Sequence, residues 1–322
     1  MRTSKIFTIT ILILLASVAH ADESATADEW TPDKLDLKRA ISNDTTPPTR
    51  LTPINNLEPL ESIEGVIRRV KLPDDDKVIA ITFDMCELDT STTGCDMEVI
   101  NVLRERKIPA TLFMGGKWMR THSRRVKQLI NEDELFEIGN HNWSHGNCAL
   151  LSDEGLKAQI LWTQAEYELL REEIGREDLQ PVPELFRLPY GRNSKRSLET
   201  IAGLGLRIIQ WDVAAETGAD NTNIKRAKHG AKKVAAMTRS GSILLFHANS
   251  VPQGTANLLR FTIDELEEQG YVFVKVSELL KMGEPETVRD GYFTNPGDNK
   301  ALDKKFGVDG TGRRRAFTGK VD

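Results

Sequence analysis

The sequence predicts an α/β fold of parallel strands covered by helices on both faces, either a barrel or a doubly wound sheet. Three observations predict it. Short continuous apolar runs alternate with stretches of helical period along most of the chain. The runs are apolar without a polar face, as strands buried on both sides are. About seven such β/α units fit within about 210 of the 322 residues, the scale of one barrel.

Taken in order, residues 77–83 (KVIAITF) form a run bounded by an acidic triplet and by Asp84. Residues 97–106 are amphipathic, 108–114 (IPATLFM) are apolar again, and 123–131 are amphipathic. A short apolar segment at 135–140 precedes a long helical pattern at 152–174. Next come a run at 185–188, a helix at 194–203, a run at 206–210 and a helix near 224–237. The run SILLF at 242–246, a helix near 255–269 and a run at 272–276 close the series. No internal repeat interrupts it.

The ends differ from this core. Residues 1–21 have the form of a secretory leader: Arg2 and Lys5, a 14-residue apolar run at 6–19, then Ala19-His20-Ala21. That run is short for a bilayer span, so the expectation is export, to the periplasm or beyond, with cleavage near Ala21 and no membrane insertion afterwards. Residues 22–75 are polar and rich in Asp, Thr and Pro, and are expected to form an arm with one short element at 60–70. Residues 286–322 are expected to be a charged, disordered tail ending near Arg313-Arg314-Arg315. The net charge of −5 argues against a dedicated nucleic-acid binder. Three cysteines are too few for a disulfide scaffold.

The informative feature is the chemistry at the end of each strand. The first run ends in Asp84, the third in Asn140-His141, the fourth in Arg187-Leu188-Pro189-Tyr190, the fifth in Trp211-Asp212 and the sixth in His247. In parallel β/α barrels the C-terminal strand ends converge on one mouth and carry the chemistry. His141 and His145 stand four apart, on one face if the segment forms a helical turn. Neutral imidazoles so placed suit Zn²⁺, Co²⁺, Ni²⁺ or Fe²⁺.

These residues together resemble the polysaccharide deacetylases with a NodB-homology domain, the fourth carbohydrate esterase family. The resemblance spans residues 76–285 and rests on Thr82-Phe83-Asp84, His141…His145, Arg187-Leu188-Pro189-Tyr190, Trp211-Asp212 and Leu245-Phe246-His247, in that order. It implies a distorted (β/α)₇ barrel and metal-assisted removal of acetyl groups from a sugar polymer. A divalent cation would polarise the carbonyl and acidify a water. Asp84 would be the general base, paired with Arg187. His247 would protonate the leaving amine, held by Asp212. The backbone N–H of Tyr190 would serve the oxyanion. Leu245 would line the acetyl pocket, and Trp143 or Trp211 would stack on a sugar ring.

One departure stands out. The family's second aspartate of the first motif is here Met85, and a thioether is a poor ligand for such cations. Glu87 is the expected substitute ligand beside His141 and His145, with Asp89 as a weaker candidate and Asp84 itself as a third. Cys86, Cys95 and Cys148 are expected to form one disulfide, Cys86–Cys95 or Cys86–Cys148. The competing arrangement is a closed zinc site of Cys86, Cys148, His141 and His145. Two other functions share the fold: a C–N hydrolase of small amides, and a carbohydrate-binding protein without catalysis.

Overall fold

The structure is a computed structural model and describes residues 42–216 and 220–312. The expected leader at 1–21, most of the expected arm and the Arg313–Arg315 triplet lie outside the described residues. Among the described residues no helix is long and apolar enough to cross a membrane.

The described residues form ten strands: β1 (Val66–Lys71), β2 (Val78–Met85), β3 (Ala110–Met114), β4 (Phe136–Asn140), β5 (Leu185–Phe186), β6 (Arg207–Ile209), β7 (Val213–Ala214), β8 (Ile243–His247), β9 (Val272–Phe273) and β10 (Glu284–Val288). They share one sheet in the order β10-β1-β6-β5-β4-β3-β2-β8-β7, with β9 against the start of β2. The β1–β10 ladder is antiparallel, and the others are parallel. The burial explains the continuous apolar runs. Every residue of β2 and of β3 is buried, as strands enclosed on both faces require.

The sheet curls almost into a ring. The Val70 N–H donates to the Gly241 carbonyl at 2.9 Å, and Arg69 faces Ser242 in an isolated bridge, so β1 meets the start of β8. Gly241 makes this possible. Its φ is +79°, and a Cβ there would stand 1.7 Å from the Val70 oxygen. The result is the distorted, incompletely closed barrel that the sequence predicts.

Helices cover the outside. α1 (Met97–Arg106) starts where Asp96 accepts from the Val99 N–H, and it buries Val99, Ile100, Val102 and Leu103. α2 (Gly116–Thr121) and α3 (Ser123–Asn131) follow β3. α4 (Asp153–Glu173) starts at Ser152, which accepts from the Gly155 N–H. α5 (Lys195–Gly203), α6 (Ile224–Met237), α7 (Thr255–Glu268), α8 (Val276–Leu279) and α9 (Lys300–Phe306) complete the set. The predicted segments from 77 to 276 fall on these elements. α2 and β7 have no counterpart among them, being six and two residues long and too short for a period to show.

The short element expected at 60–70 within the arm is β1, which lies between β10 and β6 inside the sheet. Ahead of it, Arg50 bonds Glu168 at 2.6 Å and Glu172 at 2.9 Å, which fastens the segment to α4. The tail expected to be disordered from 286 is ordered through 312. The Arg68 guanidinium lies 3.6 Å from the Tyr292 ring centre. Asp298 accepts from three successive backbone N–H groups, and Asp303 of α9 bonds Arg192 at 2.6 Å. Polar composition hides these segments because side-chain anchors hold them, with few core residues of their own.

One ion pair lies sealed inside. Lys117 of α2 and Glu87 in the loop after β2 meet at 3.0 Å with both side chains at 0% exposure. Thr121 Oγ1 and the Thr93 N–H also donate to Glu87, and Lys117 reaches Asn43 at 2.7 Å. A buried charge is tolerable only while paired and hydrogen-bonded. Lys117→Met should therefore destabilise the fold by about 3–5 kcal/mol in urea unfolding. Adding Glu87→Gln should recover most of that loss. A double variant as unstable as the single one would refute the pairing.

Candidate active site

The C-terminal ends of the strands meet around a cavity of about 600 Å³. Register alone brings the first two groups together. Asp84 and His247 are Cα partners across the β2–β8 ladder, so they stand side by side at its upper end. Both line the cavity, with Cys86, His145, Leu188, Tyr190, Trp211 and Leu245.

Asp84 is held from behind. Arg187 follows β5 and is fully buried. Its Nη1 donates to Asp84 Oδ1 at 2.9 Å and to Thr82 Oγ1 at 2.7 Å. Its other nitrogens donate to the carbonyls of Ile209 and Gln210. The flat guanidinium also lies over the Phe113 ring, 4.0 Å from its centre. The Arg187–Asp84 pair expected from the sequence is thus formed.

His247 is held by a different residue from the one expected. Its Nδ1 lies 2.5 Å from Glu216, whose other oxygen accepts from Thr255. Asp212 faces away. It accepts from Ser242 Oγ at 2.8 Å and from the Ile243 N–H at 2.9 Å, so it caps the start of β8, a strand's length from the histidine. With Glu216 accepting, Nδ1 carries the hydrogen and Nε2 is the free ring atom. Burial disfavours the imidazolium, but the Glu216 charge and hydrogen bond outweigh it, and the pKa lies above the ordinary 6.5.

The histidine pair comes together without a helical turn. Asn142 and His145 both adopt positive φ, +62° and +58°, and the segment loops back so that the two rings lie 4.9 Å apart. Asn142 tolerates that backbone and locks it by donating to the Gly146 carbonyl. His141 Nδ1 bonds the Arg187 carbonyl at 2.9 Å, which points its Nε2 inward. That Nε2, 3.5 Å from Asp84 Oδ2, and His145 Nδ1 are buried without a hydrogen-bond partner. Burial lowers both pKa values, so both rings are neutral, the form that binds a cation.

The ligand set expected from the sequence changes at one place. Glu87 is turned away and committed to Lys117, Thr121 and Thr93. Asp89 interacts with Ser144. The Cys86 sulfur and one nitrogen each of His141 and His145 all lie within 4.8 Å of one another. Burial, then Asp84 and Glu87, pushes the Cys86 thiol well up, so it keeps its proton unless a cation replaces it. These three donors suit Zn²⁺ or Co²⁺.

None of the three cysteines is in a disulfide, so the expected bridge is not formed. The closed Cys₂His₂ arrangement fails too. Cys148 is fully buried, and its sulfur accepts from Asn142 behind the loop. Trp143 packs edge-on against Trp162 between α2 and α4, away from the cavity, which removes it as a sugar platform. Trp211 lines the cavity but is 1% exposed, its Nε1 bonded to the Phe293 carbonyl. Tyr190 sits at the rim with φ +58°, edge-on to His145 and stacked on Phe306. The C-terminal segment adds Phe293, Leu302 and Phe306 to the wall.

Sequence reasoning missed Glu216, and it offered Cys86 as a donor beside the histidines only in the closed arrangement with Cys148. Cys86 follows β2 directly and lines the cavity with Asp84, but β2 ends at Met85, so strand alternation does not extend to the loop that carries Cys86 and Glu87. Nothing marked Glu216, a few residues beyond a motif that already offered a carboxylate.

A family model described as polysaccharide deacetylase matches residues 71–209. A peptidoglycan-N-acetylglucosamine deacetylase of Bacillus cereus is 33% identical over 214 residues, covering 66% of this chain and 92% of the relative. The peptidoglycan-N-acetylglucosamine deacetylase PgdA of Listeria monocytogenes is 32% identical over 217 residues, 67% of this chain, which spans only 41% of that longer relative. A family 4 acetyl xylan esterase from Clostridium thermocellum, solved with a cobalt ion, superposes with a TM-score of 0.53 at 25% identity, covering 68% of this chain and 100% of that one. The chain therefore belongs to the polysaccharide deacetylase family, on the distorted barrel of carbohydrate esterase family four.

Proposed function

We propose that this chain is an exported, divalent-metal-dependent hydrolase that removes acetyl groups from an amino-sugar polymer of the cell wall, acting in the periplasm or outside the cell. The observation that carries the proposal is the pairing of Asp84 with His247 across β2–β8, each backed by an oppositely charged group. A carboxylate and a protonatable imidazole at one mouth are the base and acid that amide hydrolysis needs. The relatives named as peptidoglycan deacetylases favour a wall polymer, and the leader-like residues 1–21 favour export.

When bound by His141 and His145, a cation supplies Lewis-acid polarisation of the acetyl carbonyl and lowers the pKa of a water. Asp84 accepts the water's proton on a carboxylate that Arg187 keeps aimed. The oxyanion is met by the Tyr190 backbone N–H at the rim. His247 then gives its Nε2 proton to the leaving nitrogen, while Glu216 steadies the charge on the ring. Leu188, Leu245 and the edge of Trp211 form the apolar wall for the methyl group.

Acetate release from peptidoglycan, chitin oligomers and acetylated xylan tests the proposal. Release should occur with at least one polymer, stop with chelator and return with Zn²⁺ or Co²⁺. Release that survives complete metal removal would contradict it, as would none from any polymer. His247→Ala should lower kcat by about 10²–10⁴-fold.

The pH profile tests the acid. An imidazolium donor works below its pKa, so kcat should fall as pH rises through the raised His247 value. Glu216→Gln removes the charge that raises it, so the alkaline limb should move to lower pH. An unmoved limb would show that His247 is not the titrating acid.

A further inference from the structure

We propose that Cys86 supplies a thiolate ligand, so that this chain carries a Cys-His₂ metal centre where its family uses a carboxylate. The inference rests on the hydrolase reading for the presence of a cation, and on separate observations for the identity of the ligand.

The first observation is geometric. The Cys86 sulfur and one ring nitrogen from each of His141 and His145 lie within 4.8 Å of one another. Around a tetrahedral cation with bonds of about 2.0–2.3 Å, such donors stand about 3–4 Å apart. Small side-chain rotations close the difference. The second observation is the pair of buried ring nitrogens, His141 Nε2 and His145 Nδ1, that have no hydrogen-bond partner. An unpartnered buried nitrogen on each of the two rings that approach one sulfur supports a cation there, since each otherwise costs desolvation with nothing in return.

The third is elimination. Met85 is fully buried in the core cluster with Phe83. Glu87 is bound to Lys117 on the far side of the loop. Asp84 is held by Arg187 through one oxygen and faces His141 with the other at 3.5 Å, where the proposed reaction needs it as the base. The fourth is support for the sulfur itself. Thr93 Oγ1 and Asn249 Nδ2 both donate to the Cys86 carbonyl, at 2.8 and 3.0 Å, which fixes the backbone. Asn249 Nδ2 also lies 3.8 Å from the sulfur, a weak donor toward a thiolate. The other two thiols are elsewhere, Cys95 beside the Met97 sulfur and Cys148 beside Asn142.

The consequence is chemical. A sulfur and two imidazoles form a borderline-soft set that prefers Zn²⁺ or Co²⁺ and discriminates against Mg²⁺ and Ca²⁺. Three protein ligands leave a position open toward the cavity, as a catalytic site needs and a closed structural site lacks. On binding, the S–H bond breaks, its proton goes to solvent, and the sulfur–cation bond forms.

Cobalt substitution in the full chain tests this directly. The wild type should bind one Co²⁺ and show an intense near-ultraviolet sulfur-to-cobalt charge-transfer band. Cys86→Ser should lose the band and bind at least about tenfold more weakly. Cys86→Asp should bind cobalt with no band, and Cys148→Ala should keep it. Cobalt bound to the wild type without the band would overturn the proposal, as would a band that persists in Cys86→Asp. The two readings fail separately. A band without acetate release from any polymer would remove the hydrolase and leave the ligand. Acetate release by a cobalt form lacking the band would do the reverse.

Discussion

A guanidinium ion sealed inside the barrel is the constraint on which the site depends. Arg187 is fully buried, and taking such a charge out of water costs several kcal/mol unless its donors are met. They are met by Thr82, Asp84, Ile209 and Gln210, from β2 and from the end of β6. Its own carbonyl takes the ring of His141. One ion thus aims the carboxylate, selects a histidine tautomer and fixes the spacing of the β2, β5 and β6 ends. Few other residue types could replace it, because no shorter or rounder cation offers the same planar fork of donors.

The two sides of the cavity are built alike. Asp84 is a carboxylate with a cation behind it, and His247 is a cation-forming ring with a carboxylate behind it. Each backing group is more buried than the group it serves. Field lines from the backing charges therefore run through little water before reaching Asp84 and His247, which strengthens them. The ladder register that sets Asp84 beside His247 is itself fixed by the apolar faces of β2 and β8, so core packing and chemistry share one determinant.

Much of this was legible in the sequence because strand ends announce themselves. An apolar run followed by a charged or imidazole residue identified Asp84, His141, Arg187 and His247, and the structure brings all four together, with Asp84 and His247 on the cavity wall and Arg187 and His141 against Asp84. The roles of adjacent residues were less legible. Asp212 stood nearer to a recognised motif than Glu216, yet it caps a strand instead. Glu87 was preferred over Cys86 on ligand type, whereas Lys117, Thr121 and Thr93 take up the Glu87 carboxylate and leave the sulfur near the two histidines. The C-terminal segment was hidden for another reason. Asp298, Asn299 and Asp303 hold it by hydrogen bonds and an ion pair, and composition counts such residues as solvent-loving.

The antiparallel edge has a consequence for the order in which the cavity is completed. Val66 pairs with Val288, and Phe306 stacks on Tyr190 beyond that. One edge of β1 pairs with β6, and its other edge waits for a partner made more than two hundred residues later. Contacts so distant in the chain form slowly. A nascent chain that has made β8 but not α9 holds Asp84 and His247 yet lacks Leu302 and Phe306 of the cavity wall. The last described segment therefore completes the enclosure of the cavity, after every strand-end residue has been made.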